Sequence, residues 1–182
     1  MILGISGYAQ VGKDTFSDQL VEQQGFVKLS FATPMRQALV TLDPWITLGG
    51  SYVRLSAAVR LIGWEILKNE SPDVRVLMQR MGTEVGRNMF GQNVWVDLAM
   101  AEAAKHEDVV FADVRFKNEA DAIVAAGGKI IRVQREGSGP VNGHVSETDM
   151  DVYPYHYMVN NSGSLNDLAV KATLLVAAER AW

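Results

Sequence analysis

The 182-residue chain contains no cysteine. That excludes disulfides, thiolate metal sites and thiol catalysis, and it fits a reducing cytoplasm. Histidine is scarce: His106, His144 and His156 are the whole complement, and their positions give no metal-ligand spacing. Long apolar runs are missing too. The most apolar late stretch, 168–178, is broken by Lys171 and Thr173 and falls short of a membrane span. The opening residues MILGIS hold no basic segment and no long apolar one, so no signal peptide is expected. Basic charge is not in excess: Lys and Arg number 17 against 21 Asp and Glu, a net charge of −4. Such a balance argues against a general nucleic-acid or membrane-surface binder. What remains is an ordinary globular composition, 48% hydrophobic and 21% charged, in a chain of one-domain length.

Strand-like and helix-like segments alternate along it. Residues 2–6 form an apolar run stopped by Gly7, which reads as a buried strand. Over 13–24, Phe16, Leu20 and Val21 recur at helical spacing before Gly25. A second strand is expected at 26–31. Thr33-Pro34 then reads as N-cap and first residue of a helix to Leu42. Strands are expected again at 109–114, 129–134 and 157–160. Helices are expected at 118–126 and from a Ser164 cap to about Arg180. Between the second and third strands, 32–107 shows helical spacing over 53–67, 74–87 and 93–105 and no convincing strand. The expectation is an α/β protein: a five-stranded parallel sheet with helices on both faces, core 1–31 and 108–182, and a helical insert at 32–107. The glycine-bearing stretch 135–148 reads as a lid-like loop.

Chemistry concentrates first in Gly7-Tyr8-Ala9-Gln10-Val11-Gly12-Lys13-Asp14-Thr15, a G-x-x-x-x-G-K pattern between the first strand and the first helix. Glycines let the backbone curl so that the N–H groups of Gly7, Ala9, Gln10, Val11 and Gly12 turn toward phosphate oxygens. The helix N-terminus adds partial positive charge, and Lys13 a full mobile one for the β- and γ-phosphates. Ser or Thr usually follows the lysine to bind Mg²⁺. Here Asp14 follows it, and Thr15 comes one residue later. Asp14 reads either as a water-mediated Mg²⁺ contact or as an acidic residue favoured in a helix's first turn.

Arginine is unevenly spread: Arg36, Arg54, Arg60, Arg75, Arg80 and Arg87, six of ten, lie in the insert. Arginine forks clamp phosphates, so a kinase acting on a phosphorylated acceptor needs them there; most of these six also fit a solvated helix face. Arg36 follows the second strand's C-terminal end, where open α/β sheets bind ligands. Arg80 and Arg87, seven apart, share a face on an α-helix. At the end of the third strand, Asp113 reads as a Mg²⁺ or acceptor-orienting carboxylate, or as a turn or helix cap. Arg115 would point across the same crevice, with Glu119 four residues on as a possible partner. Arg132 and Arg135 flank the end of the fourth strand, as befits a lid over phosphates or ordinary surface charge. Asn161 lies in a polar turn expected beside the phosphate loop, where it would contact a purine or serve as turn chemistry. His144 lies in the lid-like loop.

GYAQVGKDT, LSFATPMRQAL, LMQRMGTEVGRNMFGQNVWVDLA, FADVRFKNEADAI, GGKIIRVQR, HVSET and VNNSGSLNDL follow one another through nearly the whole chain. Together they resemble the bacteriophage deoxynucleoside monophosphate kinase family. The resemblance implies a P-loop NTPase fold and transfer of the ATP γ-phosphate to a dNMP, giving ADP and dNDP, with Mg²⁺ as cofactor. It implies that Lys13 and Thr15 hold ATP phosphates, and that Gln79, Arg80, Thr83, Glu84, Arg87 and Trp95 belong to an acceptor pocket. Asp113, Arg115 and Glu119 become the catalytic crevice, and His144 and Glu147 part of the lid region. Small nucleotides are then the only partners expected, with no nucleic acid or membrane, in a cytoplasmic monomer or homodimer (host-cell cytoplasm if phage-encoded). Two rivals share the loop: a kinase of another phosphorylated small molecule, such as phosphomevalonate kinase, and a non-catalytic nucleotide-binding module. No N-K-x-D guanine motif and no Asp-Glu pair after an apolar strand support a GTPase switch or a motor.

Overall fold

The computed structural model describes residues 1–139 and 148–181. The apolar run at the start becomes β1 (Ile2–Ser6), the middle strand of a five-stranded sheet ordered β2-β5-β1-β6-β7. Its partners are β2 (Val27–Leu29), β5 (Val109–Phe111), β6 (Lys129–Gln134) and β7 (Tyr157–Asn160). All four pairings are parallel. The register sets Gly4 beside Phe111 and Ile130, Ser6 beside Arg132, and Gln134 beside Asn160. The carboxyl ends of β1, β6 and β7 therefore lie side by side, the edge where open α/β sheets carry their ligands. A strand buried on both faces needs apolar residues throughout, and Leu3, Ile5, Val110, Ile131 and Val133 are all fully buried.

Helix α1 (Lys13–Gln24) and the C-terminal helix, here α7 (Leu165–Arg180), pack together over the sheet through Phe16, Leu20, Leu168, Ala172 and Val176. Each large side chain buried this way contributes roughly 1.5–3 kcal/mol. Gly25 ends α1 in the left-handed conformation, with φ 74°, and closes it by donating to Leu20 and Val21 carbonyls. Opposite, α6 (Lys117–Ala125) buries Ala120 and Ile123. No helix among the described residues is long and apolar enough to cross a membrane.

The chain divides into two compact units, 1–31 with 99–182, and 32–98. The second is built on α2 (Thr33–Leu42), α3 (Leu55–Glu70) and α4 (Pro72–Gln79) around Met35, Leu39, Ile46, Leu55, Leu67 and Val74. Helix α5 (Val94–Ala103) begins in this unit and ends in the first.

Several details differ from the sequence reading. First, this unit has strands: β3 (Trp45–Leu48) and β4 (Ser51–Arg54) form an antiparallel hairpin. Its two-residue turn is Gly49-Gly50, with φ 57° and 79°, a pairing that suits a primed turn. Helical spacing from Val53 onward masked that signal. Second, Thr33 is the first helical residue of α2 rather than its cap; Ala32 holds the cap position. Third, α4 does not run on as an α-helix to Arg87. Over Arg80–Phe90 the turns widen to π-helical geometry. With i→i+5 bonding, seven residues no longer make two turns, so the α-helical argument for a shared face of Arg80 and Arg87 fails. The strands at 26–31 and 109–114 are also shorter than expected. Phe26 and Phe31 are buried beyond the ends of β2, and Phe31 stacks on Phe111 at 4.3 Å.

Candidate active site

At the end of β1 the chain turns through Gly7, whose φ is 149°. A Cβ there would lie 2.2 Å from the Val133 carbonyl oxygen, so only glycine passes. Gln10 and Gly12 also take positive φ, 62° and 94°, and α1 starts immediately at Lys13. The loop closes around that lysine, whose Nζ donates to the Tyr8 carbonyl at 2.9 Å and lies 3.6 Å from Asp113 Oδ1. Lys13 is 9% exposed, so the loop has taken a cation out of water and given it main-chain and carboxylate company. Just after β7, Asn161 Nδ2 donates to the Val11 carbonyl at 2.9 Å, and its backbone N–H to the Gln134 carbonyl at 2.7 Å. A Cβ on Gly12 would meet that Nδ2 at 2.2 Å. The expected polar turn thus lies against the phosphate loop and braces it.

Asp113 follows β5. Its Oδ2 accepts from Arg115 Nε at 2.6 Å, while Oδ1 is buried with no hydrogen-bond partner. Glu119, 6% exposed, accepts from the backbone N–H groups of Arg115 at 2.9 Å and Phe116 at 3.2 Å. It thereby closes the N-terminus of α6 and fixes the backbone that carries Arg115. Lys13, Asp113 and Arg115 are therefore brought together, with Glu119 behind them. Asp14 points outward, its side chain 82% exposed and 3.4 Å from Lys28 Nζ. Thr15 is half-buried in the first turn of α1.

Arg132, on β6, is held more firmly than a free lid arginine. It donates to the Tyr155 hydroxyl at 2.8 Å and to Asp151 at 3.0 Å, and lies over the Tyr8 ring at 4.6 Å. Tyr8 donates to the same Asp151 carboxylate at 2.8 Å. That bond, with burial, raises the Tyr8 pKa. A cavity of about 320 Å³ opens beside this cluster, lined by Tyr8, Val11, Arg132, Gln134, Arg135 and Asn160 among others. Sequence reasoning missed Tyr8, Asp151 and Tyr155. The one available signal was an aromatic side chain inside a loop that otherwise favours small residues. His144 and Glu147 lie outside the described residues, as does much of the lid-like stretch 135–148.

Among the described residues no three His, Asp or Glu side chains cluster as a metal cage. Mg²⁺ in phosphoryl-transfer sites needs no cage: one or two protein oxygens, waters and substrate phosphates suffice. The Asp113 oxygen that accepts no hydrogen bond and the Thr15 hydroxyl are oxygens of that kind.

In the second unit Arg36, on α2, donates to Glu65 at 3.0 Å and lies 5.6 Å from the Trp64 ring. Trp95 donates from Nε1 to the Gly82 carbonyl at 2.9 Å. Its ring fills the space where a Gly86 side chain would be, within 2.3 Å of an added Cβ. The absence of a side chain at Gly86 lets the ring lie against the widened helix. Gln79, Arg80, Thr83 and Glu84 are exposed there, and Arg87 is half-buried.

A lysine cradled by a glycine loop at the carboxyl edge of a parallel five-stranded sheet defines a P-loop kinase fold. Shikimate kinase from Aquifex aeolicus vf5 shares that fold with a TM-score of 0.50, over 99% of this chain and 98% of that one, at 11% identity. The model of the deoxynucleotide monophosphate kinase family matches residues 49–172, and the chain belongs to that family. Deoxynucleotide monophosphate kinase of Enterobacteria phage T4 is 27% identical over 165 residues, covering 82% of this chain and 68% of the relative. A provisionally named deoxynucleotide monophosphate kinase of Acanthamoeba polyphaga mimivirus is 28% identical, covering 92% of this chain and 91% of the relative.

Proposed function

We propose that the chain transfers the γ-phosphate of ATP to the phosphate of a deoxynucleoside monophosphate, giving ADP and the diphosphate. The observation that carries the reading is the Lys13 cradle: a nearly buried ammonium hydrogen-bonded to one carbonyl and ion-paired at 3.6 Å with an Asp113 oxygen that accepts no hydrogen bond. The loop N–H groups and Lys13 bind the triphosphate, Lys13 exchanging the Tyr8 carbonyl for β- and γ-oxygens. Arg115, steadied by Asp113 and Glu119, adds positive charge where the transferring group gains negative charge. Tyr8, Arg132, Arg135 and Asn161 belong to the donor nucleoside's side. Arg36, Arg80 and Arg87, with Gln79, Thr83, Glu84 and Trp95, take the acceptor.

The attacking acceptor oxygen needs no general base, because a monophosphate's second pKa is near 6 and its oxygens are already ionised. Positioning and charge stabilisation therefore carry the catalysis. Mg²⁺, when bound with the nucleotide, neutralises charge on the β- and γ-phosphates; Asp113 and Thr15 would hold it, and Asp14 at most through water. The enzyme acts in the cytoplasm on small nucleotides.

Lys13→Ala tests the reading. With catalysis resting on electrostatics, turnover should fall roughly a hundredfold or more while circular dichroism stays native. A folded variant with near-native turnover removes the phosphate loop from the chemistry.

A further inference from the structure

Arg36 is only half used. Its Nη2 donates to Glu65 Oε1 at 3.0 Å, yet its Nε is buried with no hydrogen-bond partner. An arginine fork meets a phosphate or carboxylate best through two parallel N–H bonds. A single carboxylate oxygen on one arm, with the neighbouring donor orphaned, is an incomplete ligand for a guanidinium. The Trp64 ring, 5.6 Å from the guanidinium carbon, supplies an aromatic surface that favours the cation.

Backbone geometry delivers Trp64 and Glu65 to this position. Helix α3 is broken at Gly63, whose φ of 73° and ψ of 163° lie in a region essentially reserved for glycine. A Cβ at Gly63 would meet nothing within 4 Å. Crowding does not require the glycine; the backbone angle does. The break re-aims the second half of α3. Glu65 also pairs with Lys68, one turn on, and its side chain is 69% exposed. It can swing into solvent without leaving its charge uncompensated.

We infer that Glu65 is an internal stand-in for the acceptor's phosphate: it holds the Arg36 guanidinium in the free enzyme and gives it up when the acceptor monophosphate arrives. The inference rests on the reading of Arg36 as an acceptor-phosphate ligand. A phosphate dianion offers three oxygens and can engage both Nε and Nη2, which the carboxylate does not. The exchange therefore runs toward the acceptor, while Glu65 retires to Lys68. Glu65 in this scheme is a positioning residue. It preorients the arginine and raises the threshold for weak anions.

Three variants assayed with ATP and Mg²⁺ against dAMP, dCMP, dGMP and dTMP test this. Glu65→Gln should lower the acceptor KM roughly two- to fivefold, the range of an exposed ion pair, with the ATP KM unchanged. Inorganic phosphate should compete with the acceptor more strongly in the same variant. Arg36→Ala should raise the acceptor KM about tenfold or more. Adding Glu65→Gln to Arg36→Ala should then bring no gain, since the competitor has nothing left to hold. A disordered helix would weaken binding, so a gain is a result that a merely structural role does not give. An acceptor KM that stays constant or rises in Glu65→Gln, while Arg36→Ala does raise it, overturns the inference alone. An acceptor KM unmoved by Arg36→Ala overturns the underlying reading of Arg36 and the inference with it.

Discussion

Asp113 holds the most informative carboxylate oxygen in the phosphate-loop unit. Arg115 occupies one of its oxygens at 2.6 Å; the other is buried, without a hydrogen-bond partner, 3.6 Å from Lys13. A buried acceptor held by an ion pair alone, without a hydrogen bond, is one that a ligand or ion can satisfy on binding. Asp113→Asn keeps the shape and one oxygen for Arg115 while removing the charge. We expect the variant to fold and bind acceptor, to lose most turnover, and to need more Mg²⁺ for what remains. A Mg²⁺ titration of initial rates reads this directly; an unchanged curve with normal kcat would return Asp113 to a turn or cap. Glu119 shows a different logic at the same scale. Its carboxylate accepts from two backbone N–H groups, so it shapes the crevice through the chain that carries Arg115.

Helix α7 illustrates how an element is set by its ends. Ser164 and Asp167 cap each other: Ser164 Oγ accepts from the Asp167 N–H at 3.2 Å, and the Ser164 N–H donates to the Asp167 carboxylate at 2.8 Å. The backbone bond from Ser164 holds Asp167 below the ordinary aspartate value of 3.8. A carboxyl group lowered on folding contributes stability that is complete above its unfolded pKa and disappears as pH falls through the folded one. Asp167→Asn should therefore flatten the acid limb of the Tm profile below about pH 4 and leave the slope near neutrality unchanged. Equal acid slopes for the two proteins would count against the cap.

Elements with such end signals were legible in the sequence. β1, α1, β6, β7 and α7 lie where glycine stops, apolar runs and the Ser164 cap put them. Elements defined by competition between signals were not. The Gly49-Gly50 turn lost to helical spacing that starts three residues later, and no local pattern marks the widening at Arg80–Phe90. The same division holds for the site. The Lys13 loop is contiguous in sequence and was readable. The Tyr8–Asp151 bond joins residues 143 apart, and Arg36–Glu65 joins residues 29 apart. Pairings of that kind arise only when the fold is in place.

At the scale of the whole molecule, the two units differ in what they offer a phosphorylated ligand. The sheet unit carries the glycine loop, Lys13, Asp113 and Arg115; the unit at 32–98 carries six arginines. A kinase of a phosphorylated acceptor needs both kinds of anion site, and a simple nucleotide-binding module needs only the first. The most direct measurement is ADP formation from ATP and Mg²⁺ against a panel of deoxynucleoside monophosphates, ribonucleoside monophosphates and phosphorylated alcohols such as phosphomevalonate. The account predicts ADP and the corresponding diphosphate with one or more of the deoxynucleoside monophosphates, and none with the phosphorylated alcohols. Turnover confined to a phosphorylated alcohol, or ATP binding without transfer to any acceptor in the panel, would contradict it.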